Sequence, residues 1–198
     1  MPETKALYVR DYLGTFFWDF KRMDNTVYNF SVLKELYEGK EKSFRANLYI
    51  KPIISESMAI IECIVFDFMK RINEHTREKI PRLSEEVIQN IKNEKMWHKK
   101  SLNLNDFLPV LKEYNLLNLT IKGTFLYDNL VSLNKIRNRI HIQNEYRHTP
   151  LNEKDIFKES VLKSVEFTLE IVLIAMMKFY RRPWEDEIDY KTFPYSWK

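Results

Sequence analysis

Apolar residues recur at three- and four-residue spacing through most of this chain. The clearest series is Ile54, Met58, Ile61, Val65, Phe68 and Ile72. That spacing is one face of a helix with 3.6 residues per turn. Within the stretch Ser43 to Asn73, Pro52 predicts a kink or a fresh helix start, because proline has no N–H to donate. Glu56, Glu62 and Asp67 lie among or beside the apolar positions and are expected on a wet face. Glu62, flanked by Ile61 and Cys63, is the one whose burial matters most. Upstream, a short helix is expected over residues 27–39, capped by Asn25 or Thr26 and closed by Gly39. Downstream, the polar stretch 74–103 holds a short helix opening at Ser84. A further helix runs from Asp106 to Leu117 with Pro109 in its first turn. Thr124 is a good cap for the next helix, which continues to about Arg147. Thr149-Pro150 breaks the chain, and Asn152 caps a last helix over residues 155–180, about 39 Å long. Pro183 ends it. Helices joined by short connections imply an all-α, antiparallel helical bundle.

Composition narrows the choice further. Only three glycines occur among 198 residues, which argues against sandwiches, barrels and glycine-rich phosphate loops. No repeat or linker divides the chain, so a single helical domain over residues 1–198 is the simplest organisation. The first 25 residues carry Tyr8, Tyr12, Phe16, Phe17, Trp18 and Phe20, and the last fifteen carry Trp184, Tyr190, Phe193, Tyr195 and Trp197. Both aromatic-rich segments are expected to pack on the bundle. The lone Cys63 excludes an internal disulfide and sits in an apolar run, where a thiol serves as a small hydrophobe and thiolate formation is disfavoured. The longest clean apolar stretch, residues 171–177, is far shorter than the roughly 18 residues of a membrane span. The first twenty residues do not read as a signal peptide, so a cytoplasmic location without membrane attachment is expected. A net charge of +4 permits nucleic-acid contact without demanding it.

The helix after Thr124 carries the candidate chemistry. On a wheel with Arg137 at zero, Leu126, Leu130, Leu133 and Ile140 fall within about 60° of it. One turn on, His141 lies near about 40°, Asn144 near about −20° and His148 near about 20°. The apolar stripe therefore continues as arginine, histidine and asparagine, and such a face lines a cleft or a subunit interface. A histidine near neutrality moves protons, and an arginine pairs with phosphate oxygens and stabilises developing charge. Together they suit RNA cleavage through the neighbouring 2′-hydroxyl without a metal, with Asn138 and Asn144 orienting either group. Metal binding is a poor alternative. His141 and Glu145 share a face, but no third ligand is recognisable and no HExxH occurs. No cofactor is expected. His75 and His98, in the polar stretch, read as surface histidines.

The stretch LNKIRNRIHIQN (133–144), late in a helical chain and followed by one long apolar helix, resembles the signature of the HEPN superfamily. That family comprises helical bundles that often dimerise. Many members are metal-independent endoribonucleases of toxin–antitoxin, abortive-infection and other defence systems. Others are non-catalytic RNA- or partner-binding modules. The motif is an arginine, a polar residue such as asparagine, and a histidine with four to six residues between it and the arginine. Arg137 and Asn138 match the first two positions, and His141 follows after three residues, with Ile142 at the next position. An i,i+4 pair shares a helix face at least as well as i,i+5.

The resemblance covers about residues 50–180. It implies a HEPN-like core in which Arg137 holds the scissile phosphate and His141 is the general acid or base, with Asn138 and Asn144 supporting them. It also implies RNA as partner, a homodimer that joins two Arg137/His141 pairs around a shared cleft, and an antitoxin or other protein partner. The alternative is a non-catalytic HEPN-like module that binds RNA or a protein. Its mark would be an Arg137 occupied by an intramolecular carboxylate such as Glu62, with no open cleft at His141. A third reading makes the pair the cement of an assembly.

Overall fold

A 25-residue helix, Ile50–Glu74, is the spine of the fold, and its apolar series is buried throughout: Ile54, Met58, Ile61, Val65, Phe68 and Ile72 are at most 3% exposed. In this computed structural model, residues 8–74, 80–117, 125–138, 153–183, 185 and 188–198 are described. In chain order the α-helices are α1 (Val9–Gly14), α2 (Phe20–Lys42), α3 (Ile50–Glu74), α4 (Glu85–Lys92), α5 (Leu104–Glu113), α6 (Phe125–Arg137), α7 (Glu153–Ile156) and α8 (Glu159–Phe179). There is no strand among the described residues, and the chain is an all-α bundle. Helix α3 touches α2, α4, α5, α6 and α8, and α6 packs between α5 and α8.

Pro52 falls in the first turn of α3, where its missing N–H has no partner to lose, so it marks a fresh start. A short 3-10 turn over Ala46–Tyr49 leads into it. Ser84 caps α4 by accepting the Val87 N–H. The two aromatic-rich segments pack in large part, and against each other: the Tyr12 and Phe193 rings lie 5.2 Å apart, while Trp197 lies 5.9 Å from Tyr37 of α2. Tyr8 and Phe20 depart from the expectation and are exposed. Trp184 lies outside the described residues, as do Thr124, Asn152 and the chain from 139 to 152.

Five expectations require correction. Helix α2 begins at Phe20, earlier than expected, because the Asp19 side chain accepts the Arg22 N–H and caps it; Asn25 and Thr26 are interior. Gly39 is also interior, and a Cβ there would meet the Tyr49 ring at 2.5 Å, so glycine serves close packing and not helix termination. Helix α5 opens at Leu104, capped by an Asn103–Asp106 box, which places Pro109 inside the helix and past its first turn. The last helix is broken: Lys158 is extended between α7 and α8, where Phe157 turns its ring into the core, and α8 alone is about 31 Å long.

Asp67 is the fifth correction. It is not on a wet face: its side chain is 3% exposed and accepts the backbone N–H groups of Trp18 at 2.7 Å and Asp19 at 3.1 Å, together with Arg22 Nε at 2.9 Å. Burial pushes its carboxyl above the usual range, and these donors work the other way. One turn along α3, buried Arg71 donates to the carbonyls of Tyr180 at 2.7 Å and Phe16 at 3.4 Å. Arg182 donates to Phe17 O and Trp18 O, and its own N–H reaches Thr15 O at 2.8 Å.

Asp67→Ala strands three buried or half-buried donors at once. It is expected to cost about 3 kcal/mol or more, read as a lower midpoint in urea unfolding. Asp67→Asn keeps an acceptor oxygen and is expected to cost less.

Candidate functional site at the end of α6

Helix α6 presents a buried stripe made of Tyr127, Leu130, Leu133 and Asn134, each at most 3% exposed. Leu126 is half-buried at its edge. Two asparagines on this helix tie it to its neighbours. Asn129 donates to Thr168 Oγ1 at 2.7 Å and accepts from Ser164 Oγ at 2.8 Å, both on α8. Asn134 donates to Asn105 Oδ1 on α5 at 2.7 Å. Tyr127 joins α6 to the end of α5 in the same way: its hydroxyl accepts the Leu117 N–H and donates to Asn115 Oδ1, both at 3.1 Å. Asn115 has a φ of 46°, a left-handed position that asparagine tolerates, and it ends α5.

Arg137 is the last residue of α6 and extends the stripe, as its wheel position requires. Its side chain is 33% exposed, and Nη2 lies 2.6 Å from Glu62 Oε2. The other oxygen, Glu62 Oε1, accepts the backbone N–H of Leu104 at 3.1 Å. Leu104 is the first residue of α5, where that N–H has no partner within its own helix. One carboxylate on α3 thus holds the end of α6 and the beginning of α5. Its charge also suits the positive N-terminal end of α5, just as Arg137 suits the negative C-terminal end of α6.

The start of α5 is firmly built. The Asn103 side chain accepts the Asn105 N–H at 2.9 Å, and Asp106 returns the contact by accepting the Asn103 N–H at 2.9 Å. Lys99 pairs with the Asp106 carboxylate, and these donors hold that carboxyl below its usual range against the effect of burial.

Of the residues singled out in the sequence, Arg137 and Asn138 stand side by side at this end of α6, Asn138 half-buried in the turn that follows the helix. His141 and Asn144 lie outside the described residues, as do Ile140, Ile142, Glu145, His148 and His75. His98 is exposed, as a surface histidine should be. Glu62 is neither wet nor deeply buried, at 21% side-chain exposure. The anchoring of that carboxylate on the Leu104 N–H and the Asn134–Asn105 bridge were not legible from spacing. A polar residue at 60° from Arg137 on the wheel was the one available signal for Asn134.

Cys63, on the residue after Glu62, faces α2. Thr26 Oγ1 donates to its sulfur at 3.3 Å, and burial pushes the thiol pKa up, with the Thr26 bond opposing. Among the described residues no group of three or more His, Cys, Asp or Glu is placed to hold a metal ion. No helix among them is long and apolar enough to cross a membrane. Comparison of the chain with protein-family models, curated proteins and solved structures finds no match.

Two outcomes follow from this geometry. Arg137→Ala removes a partly exposed ion pair while the Leu104 N–H stays on Glu62, so thermal or urea unfolding should register a loss of about 1 kcal/mol or less. Cys63 should react with a thiol-specific disulfide reagent far more slowly in the folded protein than in urea; equal rates would place its thiol in open solvent.

Proposed function

We propose that this chain is a HEPN-like antiparallel helical bundle that acts on RNA, as a metal-independent endoribonuclease of the defence or toxin–antitoxin kind. The observation that supports this reading is the position of Arg137. It ends a helix whose buried stripe locks it to α3, α5 and α8, and a third of its side chain remains open to a ligand. A guanidinium held in this way is pre-organised for a phosphate oxygen and gives up little freedom on binding.

In this mechanism Arg137 binds the scissile phosphate and stabilises the charge that develops on it. His141 is the general acid or base for the attack of the 2′-hydroxyl, and the leaving 5′-oxygen takes up a proton. Asn138 and Asn144 orient these groups. The products are a 2′,3′-cyclic phosphate and a free 5′-hydroxyl. The working form is a homodimer in a cytoplasmic setting, with an antitoxin or other protein as its regulator.

The second reading, a non-catalytic HEPN-like module that binds RNA or a protein partner, draws on the Glu62 contact. A guanidinium 2.6 Å from an internal carboxylate has part of its charge already neutralised. A cementing role for Arg137 and His141 in an assembly is the weakest of the three, because Arg137 makes its contact within its own chain.

The test is incubation of the purified protein with mixed RNA in EDTA, beside Arg137→Ala and His141→Ala. The expected result is EDTA-resistant cutting with 2′,3′-cyclic phosphate ends, lost in both variants. Cutting unchanged by either substitution would sink the assignment. RNA binding that depends on Arg137, without any cutting, would establish the second reading instead.

A further inference from the structure

The Glu62 contact has a chemical meaning beyond holding helices together. An oxyanion already sits on Arg137: one carboxylate oxygen lies 2.6 Å from the guanidinium while the other is anchored by the Leu104 N–H at 3.1 Å. A carboxylate and a phosphate present the same feature to an arginine, two oxygens that share negative charge. The contact is not sealed inside the core, since a fifth of Glu62 and a third of Arg137 remain exposed. Solvent reaches both side chains.

We propose that Glu62 is a built-in competitor for phosphate at Arg137, so that the site is latched until a phosphate of RNA displaces the carboxylate. This rests on the RNA-directed reading for its physiological ligand, and on the ion pair alone for its chemistry. The two ends of Glu62 differ in what they do. The Leu104 contact is a neutral backbone bond at the start of a helix that has its own cap in Asn103, so α5 keeps its beginning if Glu62 lets go of Arg137. Arg137 in turn has its helix fixed by Asn129, Asn134 and Tyr127, none of which involves Glu62. Releasing the pair therefore frees the guanidinium without dismantling the elements that carry it.

Burial sets the strength of the latch. A fully buried pair would be too costly to open, because it would leave an uncompensated charge out of water. A fully exposed one would be too weak to restrain anything. Partial exposure on both sides puts the contact between these limits, where one phosphate oxygen is an adequate replacement.

The test uses the full chain and inorganic phosphate at constant ionic strength, with binding followed by titration calorimetry in every variant and, where Arg137 is present, on its Nε–Hε NMR signal. Glu62→Gln removes the charge and keeps an acceptor for Leu104, and Glu62→Ala serves as a second variant. Phosphate is expected to bind both variants about tenfold more tightly than the unmodified protein, the worth of one charge-assisted hydrogen bond, and the gain should vanish when Arg137→Ala is added. Equal or weaker binding in folded Glu62→Gln would overturn the latch and make Glu62 a support for Arg137. A uridine oligonucleotide then separates this inference from the RNA reading. Variants that gain phosphate but no RNA affinity uphold the latch and refute RNA as ligand. RNA that binds through Arg137 equally well with and without Glu62 upholds the RNA reading and refutes the latch.

Discussion

Between Thr15 and Asp19 the chain turns from α1 into α2, and the backbone groups of this turn are met by three buried charged side chains. Asp67 takes the N–H groups of Trp18 and Asp19, while Arg71 and Arg182 take carbonyls of Phe16, Phe17 and Trp18. Both signs of charge are supplied to a segment that offers both donors and acceptors, so the backbone groups that the helices on either side leave unpaired can be buried. The arrangement reaches across the whole chain, from α1 through α3 to the residue beyond α8. Removing any one of the three leaves polar atoms in a low-dielectric interior, where each costs more than its bond contributed.

Helix α3 does this on one side and something different on another. Glu62 and Asp67 are about 140° apart around the helix axis, so they address different neighbours. Asp67, deeply buried, fixes the α1–α2 turn. Glu62, partly exposed, bridges the beginning of α5 and the end of α6. The same residue class on the same helix thus serves a permanent joint and a releasable one, and the difference is water access. This contrast supports treating the Arg137 end of α6 as the working part of the molecule and the turn at residues 15–19 as its foundation.

Much of the fold was legible because it follows from local rules. The α3 stripe, the start at Pro52, the Ser84 cap and the packing of most of the terminal aromatic rings depend on periodicity, a missing N–H, a short hydroxyl side chain and apolar area. The errors also have local causes. Asn25 and Thr26 are plausible caps, yet Asp19 captures the helix start earlier, and the Asn103–Asp106 box does the same to Pro109. Gly39 resembles a stop until the Tyr49 ring is placed beside it. The break at Phe157 and Lys158 interrupts an unbroken helical pattern because the Phe157 ring is buried there, which periodicity does not register.

What the sequence by itself determined is the all-α class, the apolar face of α3 and the place of Arg137 on the apolar stripe of α6. These depend on residues within a few turns of one another. The partners of the charged residues were decided only by tertiary structure. Glu56, Glu62 and Asp67 look alike along α3, yet one caps another segment's backbone, one holds Arg137 across 75 residues, and Glu56 makes neither contact. A carboxylate's role depends on which donors the packing brings within about 3 Å and on how much water it leaves there, and neither is written in the local pattern.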